Sequence, residues 1–293
     1  MSLLQKAQPV TVNGTELAVI DTGAGDPVVL VHGGVSDLRT WSHQIGPFHA
    51  EHRTIAYSRR YHAPNIPIAD DAPDPINAHV ADLATLIGTL GAAPAHIVGH
   101  SWGGLIALVL AARHPGLCRL LVLIEPPVVT LHVDVPPTPA RMLRLLAASP
   151  RLAFAIARLG LGALAPAERA FRRGDDRAAI AHFGRGVLGR DRFSALTEER
   201  LQQVWDNRGP ERALALHDGF PDLRREALSE IATPALLIRG ADSPRVFHLL
   251  IDSLMTRLPN ATTLTIPTAS HIAHEDAPKA FNQAVLGFLR EAD

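Results

Sequence analysis

A single cysteine, Cys118, is all the thiol chemistry in the 293 residues, so no disulfide can close within the chain and no cysteine-built metal site is available. Its setting in the apolar run 117–124 reads as that of a packed core thiol rather than a reactive one. Charge of one sign is equally lacking: 28 Lys and Arg stand against 29 Asp and Glu, a formal net charge of −1. A basic excess would be the usual footprint of a nucleic-acid or anionic-membrane partner, so neither is expected, and a small neutral substrate fits the balance. No stretch of roughly 18 apolar residues without charge occurs, which excludes an evident membrane span. The first residues show neither the basic start nor the apolar core of a secretion signal, and the expectation is a cytoplasmic protein. Internal repeats and low-complexity linkers are also missing.

What is present is alternation. Residues 10–12 and 17–21 flank Asn13-Gly14, a two-residue turn signal, and predict an opening antiparallel hairpin. The wholly apolar run 27–31 has the pattern of a strand covered on both faces, and it ends in His32-Gly33-Gly34. A helix over 38–50, a strand over 54–58 and the basic aromatic turn Arg59-Arg60-Tyr61-His62 follow. Val80, Leu83, Leu86, Ile87 and Leu90 recur at helical spacing and stop at Gly91. Strand 95–98, helix 103–113 and strand 120–124 continue the rhythm, the last closing at Glu125-Pro126-Pro127. Alternation of this kind predicts an α/β fold: a mostly parallel, doubly wound sheet with an N-terminal antiparallel hairpin.

From 128 to 232 the rhythm breaks. The chain there is helical in pattern, rich in arginine and punctuated by proline, with no convincing strand. Strand 235–239, helix 244–258, strand 262–266 and a last helix through Phe281, Val285 and Leu289 then resume the alternation. The expected organisation is a core of residues 1–127 and 233–293 carrying an inserted helical lid, 128–232. The arginines of the insert read as a solvated face.

Gly99-His100-Ser101-Trp102-Gly103-Gly104 lies between an apolar strand and an apolar helix. That is the context of a nucleophile elbow, in which a serine perches in a strained turn and small neighbours leave it room. A serine hydroxyl needs a base to take its proton, and the base needs a carboxylate to hold its tautomer. Among 15 histidines, His271 stands in the loop after the last strand, where the base belongs in this chain order; His274, three residues on, reads as structural or as part of the rim. Two acids compete for the third role. Asp242 follows strand 235–239 but comes one residue earlier than the usual spacing after Gly240, and Glu125 ends the strand beside the elbow strand. Backbone N–H groups of Gly34 and Trp102 are the expected oxyanion donors. Gly33, Trp41, Arg60, Tyr61 and His100 are candidates for the pocket wall.

With these motifs in this order the chain resembles the α/β-hydrolases over nearly its whole length, through His32-Gly33-Gly34, the Ser101 elbow, Leu123-Ile124-Glu125-Pro126 and Ser270-His271-Ile272-Ala273-His274-Glu275. Tyr57-Ser58-Arg59-Arg60-Tyr61-His62 and Gly240-Ala241-Asp242-Ser243-Pro244 are similar to a bacterial subgroup of hydrolases. That likeness favours Glu125 as the acid, since Ser243-Pro244 stands where the acid would come after Gly240. The resemblance implies a serine hydrolase acting on a carboxylic ester or lactone of a small, mainly apolar substrate, with no cofactor and no metal. A serine nucleophile argues against the epoxide hydrolases and haloalkane dehalogenases of the same fold. The alternatives are a non-hydrolytic enzyme of the fold, a lyase or cofactor-free oxygenase, and a ligand-binding protein without turnover.

Overall fold

The computed structural model describes residues 3–69, 71–217 and 219–291. After a short helix α1 (Leu3–Lys6), β1 (Gln8–Val12) and β2 (Thr15–Thr22) form the hairpin. Val12 pairs with Thr15, leaving Asn13 and Gly14 as a two-residue turn with φ of 45° and 75°. Two consecutive positive φ values match the right-handed twist of the strands, and Asn-Gly adopts them at little cost. β3 (Pro27–Val31), α2 (Ser42–His49), β4 (Arg53–Tyr57), α3 (Ile76–Thr89), β5 (Ala95–His100), α4 (Trp102–Arg113) and β6 (Cys118–Ile124) follow. The helix expected over 38–50 is divided, because Leu38–Trp41 winds as a 3-10 turn capped by Asp37 before α2 begins.

Between β6 and β7 the described residues form helices and turns only: α5 (Pro139–Ala148), α6 (Pro150–Leu159), a π turn (Gly160–Leu164), α7 (Ala165–Arg172), α8 (Asp176–Leu188), α9 (Arg190–Ser194), α10 (Glu198–Asp206) and α11 (Arg208–Leu216) are the main ones. Then come β7 (Ala235–Gly240), α12 (Arg245–Met255), β8 (Ala261–Ile266), α13 (Ala273–Asp276) and α14 (Pro278–Arg290). None of the described helices is long and apolar enough to cross a membrane.

The eight strands make one sheet in the order β1-β2-β4-β3-β5-β6-β7-β8. β1, β2 and β4 pair antiparallel in turn, and every pair from β4–β3 to β7–β8 is parallel. The central parallel strands β3, β5, β6 and β7 are almost wholly buried because helices cover both faces, whereas the edge strand β8 exposes its threonines. α4 is the limiting case: residues Trp102 to Ala111 are all buried. A helix with no solvated stripe has to be packed all round, and α4 sits within the larger of the apolar clusters beside the sheet. Cys118 is buried at the start of β6, and burial raises its thiol pKa to about 12, which leaves it protonated and inert.

The parallel register places the carboxyl ends of the strands along one edge. Val31 lies opposite Gly99, Gly99 opposite Leu123, Ile124 opposite Ile238 and Gly240 opposite Ile266. The loops after β3, β5, β6, β7 and β8 therefore emerge side by side, the usual place for a site in an open parallel sheet.

Candidate active site

Ser101 caps the end of β5 and opens α4 with φ 50° and ψ −116°. A side-chain-bearing residue with φ in the left-handed range is strained, and the surroundings here hold it in place. Its N–H donates to the Ile124 carbonyl at 2.7 Å. A Cβ at Gly99 would lie 2.6 Å from the Gly103 carbonyl oxygen, and one at Gly103 would collide with the carbonyls of Val31 and His32. Only glycine allows β3, the elbow and α4 to approach this closely.

His271 follows β8 in the loop before α13 and is 3% exposed. Its Nδ1 stands 2.6 Å from Glu125 Oε2, while the other carboxylate oxygen, Oε1, accepts the Gly240 N–H at 2.9 Å. Both oxygens of a fully buried carboxylate are thus satisfied, one of them by the imidazole. The Phe247 ring stacks on His271 at 4.0 Å between centroids and fixes its plane. His271 Nε2 is buried with no hydrogen-bond partner among the described residues, and His271 and Ser101 line the same pocket.

Asp242 is placed elsewhere. Its side chain is 52% exposed and pairs with Arg192 at 2.8 Å. The turn after β7 sends it outward, and Gly240 N–H meets Glu125 instead. Of the two candidate acids, Glu125 is the one brought to His271. His274 is fully buried, 2.9 Å through Nε2 from the Thr40 hydroxyl and within 4.6 Å of the Trp41 ring, so it belongs to the packed interior rather than to a rim. Burial lowers its pKa to about 4 and keeps it neutral.

Gly34 borders the Ser101 pocket, and Trp102 is the first residue of α4, directly after the serine. Gly33 lies behind them: a Cβ there would come 2.8 Å from His100 Nδ1 and 3.2 Å from Ser101 Cβ. His100 lines the pocket with its ring nitrogen Nε2 at 2.9 Å from the His271 carbonyl. Three other expected wall residues are not among those lining it. Trp41 is buried beneath His274, Arg60 is turned to Asp82 at 2.6 Å, and Tyr61 occupies a left-handed turn bridged to Pro67.

The wall comes mainly from the helical segment. Ile180, Phe183, Val187 and Leu188 of α8 and Val204 of α10 close over Ser101, leaving a cavity of about 50 Å³. Sequence patterning had no means of finding them, because apolar residues at helical spacing look the same whether they face a core or a pocket. Two buried ionisable residues were also missed. Arg59 is buried and donates to the Gly33 carbonyl at 2.9 Å and the His32 carbonyl at 3.2 Å, anchoring the loop that carries Gly34. Burial lowers its pKa to about 10, still well above neutrality. Glu211 of α11 reaches down from the helical segment, its Oε2 only 2.9 Å from where a Cβ on Gly34 would stand. Burial raises its pKa to about 8 against the pull of Arg59, with Asp74 adding to the rise, so it is mostly protonated at neutral pH. Among the described residues no group of three or more His, Cys, Asp or Glu could hold a metal ion.

Comparison with known proteins agrees with this architecture. Residues 26–278 match the family described as "alpha/beta hydrolase fold". "Putative non-heme bromoperoxidase BpoC" of Mycobacterium tuberculosis is 30% identical, over 93% of this chain and 97% of its own. A thermophilic esterase from Thermogutta terrifontis superposes with a TM-score of 0.73 at 22% identity, covering 98% of this chain and 99% of that one. Est816, described as an N-acyl homoserine lactone degrading enzyme, gives a TM-score of 0.65 at 20% identity, over 96% and 100%. The chain belongs to the α/β hydrolase fold family.

Proposed function

We propose that the protein is a serine hydrolase that opens carboxylic esters or lactones of small, mainly apolar substrates through an acyl-Ser101 intermediate. The observation that carries this reading is the Glu125–His271 contact of 2.6 Å, with the opposite ring nitrogen of His271 unpartnered beside Ser101. A carboxylate on Nδ1 selects the tautomer with its proton there, so Nε2 is the basic atom. In the proposed sequence Nε2 takes the Ser101 hydroxyl proton as Oγ bonds to the ester carbonyl carbon. The oxyanion forms against the N–H groups of Gly34 and Trp102. The imidazolium, stabilised by Glu125, returns the proton to the departing alcohol, and the carbon–oxygen bond breaks. A water deprotonated by His271 then releases the acid and restores Ser101.

The helical segment serves as the lid. Its apolar side chains around a cavity of about 50 Å³ favour a short acyl group. The esterase and the lactone-degrading enzyme among the structural neighbours are compatible with ester chemistry on this fold. The test is a fluorophosphonate probe combined with p-nitrophenyl esters and lactones of graded acyl length. Covalent labelling at Ser101 and fastest turnover of acetyl to butyryl esters are expected. A protein that is neither labelled nor active on any ester or lactone would instead be a lyase, an oxygenase or a binding protein.

A further inference from the structure

The helical segment borders a second and larger cavity. A cleft of about 600 Å³ opens between α6, α8 and α12, beside the 50 Å³ pocket over Ser101. Four arginines from four helices line it: Arg158 of α6, Arg185 of α8, Arg190 of α9 and Arg245 of α12. The side chains of the four make no hydrogen bond or ion pair with another described residue. Other arginines of the segment do find carboxylates: Arg141 meets Asp134, Arg172 meets Glu168, Arg200 meets Glu275, and Arg208 and Arg212 both meet Asp176. Arg169 and Arg173 do not, so what distinguishes the four is their convergence on one cleft. Among the described residues the only carboxylate lining the cleft, Asp242, is taken by Arg192.

All four are exposed, as the sequence reading of a solvated face expects, yet they gather on one cleft rather than spread around the helices. α8 is divided: Ile180, Phe183 and Val187 face the Ser101 pocket, while His182, Arg185 and Gly186 face the cleft. Gly162 and Gly189 border the cleft where an added Cβ would meet nothing within 4 Å, while Gly186 packs against Ala163. The first turn of α12 also opens into the cleft, with no side chain capping it. Four like charges gathered on one cavity with no counter-charge of their own leave a strong positive potential, which an incoming anion relieves.

We propose that this cleft binds a small soluble ligand bearing a diphosphate or larger phosphate group. Planar guanidinium forks match phosphate oxygens two at a time, and an uncapped helix start adds N–H donors for the same charge. A monoanion would leave most of the four cations uncompensated. The volume lies in the range of small-molecule sites. Because the arginines come from α6, α8 and α9 on one side and α12 on the other, such a ligand ties the helical segment to the core. The site is independent of the ester chemistry proposed for Ser101.

The test uses the full-length protein, with inorganic pyrophosphate and ADP titrated by calorimetry at fixed ionic strength. Arg185→Glu/Arg245→Glu is compared with Arg169→Glu/Arg173→Glu, two exposed arginines outside the cleft and also without a carboxylate partner. The expected result is saturable binding of at least one probe that also raises Tm. The cleft double variant should weaken it by at least about tenfold, the equivalent of roughly 1.4 kcal/mol. The control should stay within about twofold, and esterase activity without ligand should be unchanged in both, as expected of surface substitutions. No binding at millimolar probe, or equal loss in both variants, overturns the proposal. Tighter binding of single-stranded oligonucleotide or of anionic vesicles than of either probe also overturns it, in favour of an extended polyanion.

Discussion

At the scale of single residues, the proposed chemistry depends on three side chains, each of which fails in its own way. Ser101→Ala removes one oxygen and is expected to lower kcat by roughly 10³ to 10⁶ while the thermal unfolding curve stays in place. A folded variant keeping more than about a tenth of the wild-type rate contradicts the nucleophile assignment. Glu125→Gln keeps size but loses the charge that stabilises the imidazolium, so a drop of at least about a hundredfold is expected. Asp242→Asn should cost less than about tenfold, because that side chain is half exposed and tied to Arg192. If the two amide variants rank the other way in steady-state assays, the acid has been misassigned. Glu211 gives a prediction in pH. Its folded-state pKa of about 8 lies above the ordinary value of 4.5, so between those values the native state binds more protons than the unfolded one. Stability then declines as pH rises through that window. Glu211→Gln cannot ionise, and its Tm should fall less between pH 6 and 9 than that of the wild type. Parallel Tm-against-pH curves for the two proteins would rule this out.

At the scale of elements, the elbow depends on backbone proximity that no side chain can bridge. Gly103→Ala places a methyl group against the carbonyls of Val31 and His32, where β3 and α4 meet. Overpacking of this kind costs about 1–3 kcal/mol, equivalent to a Tm loss of roughly 3–10 °C, measurable by calorimetry. Activity should fall as well, since the same contact positions Ser101. α8 offers the opposite experiment. Phe183→Ala enlarges the cavity over Ser101, and acyl preference should move from acetyl and butyryl towards longer esters. An unchanged chain-length profile would mean that α8 does not border the acyl group.

At the scale of the whole molecule, the helical segment and the core share apolar packing. Val133, Leu145, Leu152 and Ile156 belong to the same cluster as Leu105, Val246 and Leu250. Replacing 128–232 by a short linker is therefore expected to preserve the far-ultraviolet signature of the sheet but lower Tm and abolish discrimination by acyl length. Recovery of no folded core would show that the segment is part of the folding unit. The sequence foresaw this layout in outline because alternation of apolar strands and amphipathic helices is a local signal, readable wherever the period changes. Its break at 128 and return near 235 were equally visible.

The chain order alone was enough to nominate Ser101 and His271 as the proposed nucleophile and base. An elbow is built from consecutive residues, and its glycines, apolar strand and apolar helix are all within a dozen positions of the serine. The histidine follows the last strand, so counting strands locates it. The acid is different in kind. Glu125 and Asp242 each follow a strand, and the local signal, the early position of Asp242 before Ser243-Pro244, only leans towards Glu125; the geometric distinction lies in Gly240 N–H meeting Glu125 across 115 positions of sequence and in Asp242 turning out to Arg192. The same holds for Arg59 behind Gly33, Glu211 above Gly34 and the four arginines that converge from α6, α8, α9 and α12. Periodicity records which face of an element is apolar, whereas these arrangements depend on how faces from distant elements meet, and only the packed structure decides that.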